Sequence, residues 1–89
     1  MRLDKFLKIS RLIKRRTVAK DAAGQGRVWI NGKEAKPSSA VKVGDEITVR
    51  FGRKNVTVRV ERLDETARKE DAPGMYTVVR EEEVFEDIS

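Results

Sequence analysis

The residues most able to do chemistry crowd into the first twenty positions, and they are nearly all cations. Arg2, Lys5, Lys8, Arg11, Lys14, Arg15, Arg16 and Lys20 share that stretch with a single acid, Asp4. A guanidinium presents a planar fork of donors that fits phosphate oxygens in pairs, and an ammonium adds a compact positive charge. Cations at this density point to a polyanion as ligand. Catalysis has little to work with. The chain contains no His and no Cys, so a zinc site of the usual ligands and any His-based acid/base or triad chemistry are excluded. Ser10, Ser38 and Ser39 therefore lack an activating base, and no Gly-rich phosphate loop of Walker or dinucleotide spacing occurs. A binding protein without cofactor or metal is the expectation, not an enzyme.

Two short helices must position these cations. Leu3, Phe6, Leu7, Ser10 and Ile13 recur at helical spacing and define the apolar face of a first helix, with Lys5, Lys8 and Arg11 on the other side. Lys14, Arg15 and Arg16 mark the turn into a second helix. There Val18, Ala19, Ala22 and Ala23 form a small apolar stripe, while Arg16 and Lys20 project from the opposite side, four residues apart. Gly24 and Gly26 supply the stop signal. Each helix keeps one face for a core and offers the other as cationic surface.

The remaining sequence has the pattern of a small sheet. Arg27 to Ile30 alternates with Val28 and Ile30 inward, and Asn31-Gly32 is a strong hairpin signal because both central residues of that turn need positive φ. Lys33 to Lys36 is the short return strand, ended by Pro37-Ser38-Ser39. Val41 and Val43 alternate briefly, and Gly44-Asp45 forms another turn. Glu46 to Phe51 alternates with Ile47, Val49 and Phe51 inward. Residues 52–55 read as a turn, and Val56 to Val60 alternates again, extending to Leu63. The polar residues 64–73 are a loop or a turn of helix. Met75 to Val79 is a last strand or extended segment, and Glu81 to Ser89 is a frayed acidic tail. Apolar sheet residues are expected to pack on Leu3, Phe6, Leu7 and Val18. Trp29 points away from Val28 and Ile30, either closing the rim of the core against the tail or standing ready to stack on a base. The rim is the favoured placement.

With 89 residues, 39% charged and 38% hydrophobic, the chain suits one small domain with a thin core. Its net charge of +5 is unevenly spread. Residues 1–54 carry fifteen Lys or Arg against five acids, whereas residues 55–89 carry five against ten. A basic front and an acidic tail fit a polyanion binder better than a uniformly mixed solvated surface. Charges at positions 2, 4, 5 and 8 interrupt any signal-peptide core, and no apolar run approaches a membrane span, so the cytoplasm, without membrane attachment, is the expected location.

The motifs R-L-D-K-F-L at 2–7, S-R at 10–11, A-K at 19–20, G-x-V-x-I-N-G at 26–32 and P-S-S-A-V-K-V-G-D-E-I at 37–47 resemble, in order, the S-four RNA-binding domain, also called the alpha-L motif. The resemblance implies an α+β fold: two N-terminal helices packed on a small twisted, mostly antiparallel sheet, with a short acidic C-terminal tail. It divides the chain into a domain over 1–63 and a C-terminal extension over 64–89. The short length narrows the similarity to the free-standing bacterial RqcP group of ribosome-associated quality control, with the fifteen-kilodalton heat-shock protein as a relative. What this implies is binding to ribosomal RNA of the large subunit and to peptidyl-tRNA in the P site of an obstructed large ribosomal subunit. The partner there is RqcH, which directs C-terminal alanine tailing of the stalled chain. The implied RNA-binding residues are Arg2, Asp4, Lys5, Lys8, Arg11, Lys14, Arg15, Arg16 and Lys20.

One departure from the family concerns the second helix. Many members have Ser or Thr before it as N-cap, where this chain has Arg15, with Thr17 two residues later. Either the helix starts later or the cap gives way to an RNA contact. Asp4 has three available roles: capping the first turn, neutralising and fixing a neighbour such as Arg11, or accepting from a base or 2′-hydroxyl. The structural roles are preferred. Tail acids as divalent-ion ligands are a weaker reading than a solvated tail. Two rivals stand beside the main reading: a general ribosome-assembly or heat-shock RNA-binding factor, and a helix-turn-helix-like DNA-binding regulator. The chain shows no obvious dimer surface, so a monomer is expected.

Overall fold

A computed structural model describes residues 1–64, 70 and 72–83. Two helices, α1 (Leu3–Ile9) and α2 (Arg16–Gly24), precede five strands: β1 (Val28–Ile30), β2 (Lys33–Glu34), β3 (Glu46–Phe51), β4 (Lys54–Val60) and β5 (Tyr76–Glu83). The strands form one sheet in the order β2-β1-β3-β4-β5, and every neighbouring pair is antiparallel. A 3-10 turn, Ala72–Met75, leads into β5. The expected α+β architecture is the one found.

The core lies where α1 and α2 cover one face of the sheet. Leu3, Phe6 and Leu7 from α1 and Val28, Ile47, Val58 and Val60 from the strands are fully buried, joined by Ala19, Ala23, Val49 and Met75. The period-two alternation works as expected through Ile47 and Val49 on β3 and Val58 and Val60 on β4. Asn31 (φ 51°) and Gly32 (φ 81°) adopt the left-handed pair that the Asn-Gly signal demands. Asn31 also does more than turn. Its side chain accepts from the Glu46 N–H at 2.9 Å and donates to Asp45 Oδ1 at 3.1 Å, which fastens this hairpin to the Gly44-Asp45 turn.

Helix α1 is held at both ends by the rest of the chain. With Arg2 making no side-chain cap, the Leu3 and Asp4 N–H groups donate to the carbonyls of Ser39 (2.8 Å) and Pro37 (3.1 Å). The Pro37-Ser38-Ser39 turn thus satisfies donors that a helix leaves open. The helix ends at Ile9, four residues before Ile13. Arg11 bends the chain in the left-handed region (φ 64°), and the Ile13 N–H returns to the Leu7 carbonyl at 3.1 Å. Ile13 is buried as expected, but from the bend and not from the helix face.

Several other expectations need correction. Val18 is 49% exposed and does not pack on the core; Ala19 and Ala23, one turn apart, fill that place, and a one-sided helix of nine residues buries only this row. Phe51 is 40% exposed, because it is the last residue of β3 where helix cover has run out. Val43 is exposed and in no strand, while Val41 is buried through the pairing of its N–H with the Met1 carbonyl. The β3–β4 turn is the two residues Gly52 and Arg53, not 52–55, with positive φ at Gly52 only. Strand β4 ends at Val60 rather than Leu63. Glu81 to Glu83 are not frayed: they continue β5 opposite Lys54, Asn55 and Val56, with Lys54 Nζ 3.2 Å from Glu81 Oε2. A charged edge strand is well tolerated because it discourages pairing with other chains. The tail beyond Glu83, and with it any closure of Trp29 against that tail, lies outside the described residues; Trp29 itself is half-buried between Glu34 and Thr48 on neighbouring strands.

Candidate nucleic-acid interface

Asp4 is the pivot of the cationic surface. It is 2% exposed, on the first turn of α1, and its carboxylate accepts from Arg2 Nη2 at 3.2 Å and lies 3.7 Å from Arg16 Nη2. The Lys5 N–H donates to its other oxygen at 2.8 Å. Arg2 immediately precedes α1 and Arg16 opens α2, so one buried acid draws the start of each helix together. Both guanidiniums keep about half of their side-chain surface open to water (53% each). Asp4 takes a hydrogen bond from Arg2 and a longer ion pair from Arg16, which leaves the other N–H groups of the forks for an external anion. The partners are Arg2 and Arg16, not Arg11, because the left-handed bend after α1 takes Arg11 out of the helix.

Helix α2 starts at Arg16. Arg15 occupies the cap position in an extended conformation with no side-chain cap hydrogen bond, and Thr17 is already inside the helix. The site's two chief guanidiniums are therefore fixed by tertiary contact with Asp4 and not by a local cap. Lys20, four residues on, is exposed and shares a cleft with Arg2. That cleft continues along Lys36, Pro37 and Ser38. Lys36 is a cation that pattern alone did not single out; its only signal is its place beside the P-S-S turn that caps α1.

The other expected site residues divide by position. Lys8, Arg11, Lys14 and Arg15 are exposed along the end of α1 and the connection to α2, and no described acid pairs with them. Lys5 is half-buried. Lys14 opens onto a different cleft, on the Val18 and Ala22 flank of α2. The structure thus brings Arg2, Asp4, Arg16 and Lys20 into one cluster and spreads the rest along its border. Among the described residues no group of acids, His or Cys is arranged to hold a metal ion, and no helix is long and apolar enough to cross a membrane.

A family model described as the S4 domain matches residues 1–47. The chain belongs to the S4-domain family. The matched region holds both helices, β1, β2 and the whole Asp4 cluster. The chain is 64% identical over 86 residues to the "RQC P-site tRNA stabilizing factor" of Bacillus subtilis (strain 168), covering 97% of this chain and 100% of that protein. It is 33% identical over 88 residues to "Heat shock protein 15" of Escherichia coli (strain K12), covering 99% of this chain and 63% of that one. Among solved structures, the trimeric structure of Vibrio cholerae Heat Shock Protein 15 superposes with a TM-score of 0.82 at 35% identity, over 89% of this chain and 81% of that chain. S4-domain membership and the α+β fold are thus independently supported by sequence and by shape.

Proposed function

We propose that this S4-domain chain acts in ribosome-associated quality control. It binds a large ribosomal subunit obstructed by peptidyl-tRNA, touching ribosomal RNA and the P-site tRNA together, and so supports RqcH-directed alanine tailing of the stalled chain. The observation that carries the proposal is the pair of half-exposed guanidiniums, Arg2 and Arg16, clamped on buried Asp4 beside Lys20. Such a clamp fixes two forks at a set separation, which suits backbone phosphates held in a folded RNA and does nothing for a diffuse charge. The names and near full-length identity of relatives such as the Bacillus subtilis protein support the assignment to quality control. The protein works in the cytoplasm as a monomeric binding factor, without cofactor, metal or catalytic step. Residues 1–63 supply the RNA-binding domain and 64–89 an extension whose strand β5 completes its sheet.

Cosedimentation tests this directly. Large subunits carrying peptidyl-tRNA should retain the protein and vacant subunits should not, and Arg16→Ala should weaken the retention. Equal retention on vacant and obstructed subunits would replace the proposal with the general assembly or heat-shock reading, which the resemblance to Heat Shock Protein 15 favours. Preference for duplex DNA over structured RNA would sink both. Light scattering in dilute solution checks the monomer, since the Vibrio cholerae relative is described as trimeric.

A further inference from the structure

The flank of α2 away from Lys20 carries a second cleft that the Asp4 cluster does not use. Helical spacing puts Val18 and Ala22 on this flank and Arg16 and Lys20 on the other. The cleft, of about 360 Å³, runs from α2 to the end of β3. Its walls include Val18, Ala22 and Phe51, and Lys14, Arg27 and Arg50 stand around them. It abuts a recess of about 410 Å³ in which Arg27 and Arg50 are joined by Arg53 of the β3–β4 turn.

Two features of this place serve no packing or pairing role within the fold. Val18 and Phe51 are large apolar side chains left 49% and 40% exposed side by side in one cleft. Arg27 and Arg53 have no acidic partner among the described residues, and no acid lines either hollow. Arg50 is anchored, donating from Nε to the Gly52 carbonyl at 3.1 Å. An apolar wall with an aromatic ring, bordered by guanidiniums and free of acids, matches an unpaired nucleotide: a π-face to stack and a phosphate to pair. The cleft is also close to the clamp along the chain. Lys14 on its border is two residues from Arg16, at most about 7 Å of chain, so one RNA strand reaches both.

We propose that this α2–β3 cleft binds a single unpaired nucleotide of the RNA held by the Asp4 clamp, its base against Phe51 and Val18 and its phosphate on Arg27 and Arg53. The proposal rests on the RNA-binding function and adds a single-strand element to it.

The test is amide, methyl and aromatic NMR on the full chain titrated with a 5′-phosphorylated tetra-adenylate. Saturable shifts are expected at Val18, Ala22 and Phe51, beyond those produced by inorganic phosphate or by adenosine alone. Phe51→Leu, which keeps an apolar side chain at a half-open position, should weaken the cleft binding roughly tenfold. Arg27→Ala with Arg53→Ala should remove it, and Arg16→Ala should leave the cleft shifts in place. Shifts confined to Arg2, Arg16 and Lys20 would overturn the cleft and keep the clamp. Inorganic phosphate reproducing every shift would reduce the cleft to an anion patch, and tighter Phe51-dependent binding of a poly-glutamate peptide would make it a peptide groove; either overturns the proposal. No shift anywhere, the clamp included, would remove the RNA-binding reading itself.

Discussion

Replacing Asp4 by Asn sets two physical effects against each other. Asp4→Asn removes a negative charge from beneath the RNA-facing surface, so simple electrostatics says that binding tightens. A phosphate seated on Arg2 or Arg16 would lie roughly 7 Å from the carboxylate, and at the water-like dielectric of half-exposed groups that repulsion is only about 0.6 kcal/mol, less still in salt. Against it stands the loss of the clamp. Arg2 at 3.2 Å and Arg16 at 3.7 Å are both positioned by the carboxylate. Once released, each must be ordered again on binding, at about 0.5–1.5 kcal/mol per side chain. Positioning therefore wins, and Asp4→Asn should bind RNA about tenfold more weakly at physiological salt. Stability falls too. Asn can still accept from the Lys5 N–H, but its amide then faces a guanidinium donor to donor, at a cost of about 1–2 kcal/mol. That lowers Tm by several degrees, on the order of 4–8 °C per kcal/mol for a domain this size. Fluorescence anisotropy well below the lowered Tm, across a salt series, gives the binding result. Binding as tight as wild type or tighter, with a steeper salt slope, would show that Asp4 is a neutralising charge and that the clamp does not position anything.

Arg16→Ala should weaken RNA binding by about 1–3 kcal/mol and flatten the salt slope by a little under one unit if the contact is to phosphate. Because Arg16 is half-exposed, its stability effect should stay near 0.5 kcal/mol; Lys33→Ala, the same charge removed from the start of β2, is the control, and equal small losses for both would mean diffuse electrostatics. Phe6→Ala empties a fully buried site at the centre of the core and should cost roughly 3–5 kcal/mol, close to the whole margin of a small domain; a melting shift of a degree or two would place Phe6 outside the core. Arg11 holds a left-handed backbone (φ 64°), so Arg11→Gly should be more stable than Arg11→Ala by about 1 kcal/mol, read from paired urea melts; identical midpoints would mean that the bend relaxes at no cost.

Much of the fold was legible because local patterns and tertiary needs agree. The spacing of Leu3, Phe6 and Leu7, the Asn31-Gly32 pair and the alternation from Glu46 to Val49 each say locally what the core later requires. The cationic character of residues 1–20 follows from composition alone, and so does the exclusion of His- and Cys-based chemistry. Tertiary structure decided everything that depends on residues far apart in sequence. It chose Arg2 and Arg16 over Arg11 as the partners of Asp4, since the bend at Arg11 and the start of α2 at Arg16 are set by packing, not by caps. It capped α1 with carbonyls from Pro37 and Ser39. It drew Glu81 to Glu83, poor strand formers by composition, into β5 because β4 offered an open edge and Lys54 offered charge. It left Val18 and Phe51 uncovered, because whether an apolar residue is buried depends on what stands opposite it, and no spacing rule encodes that.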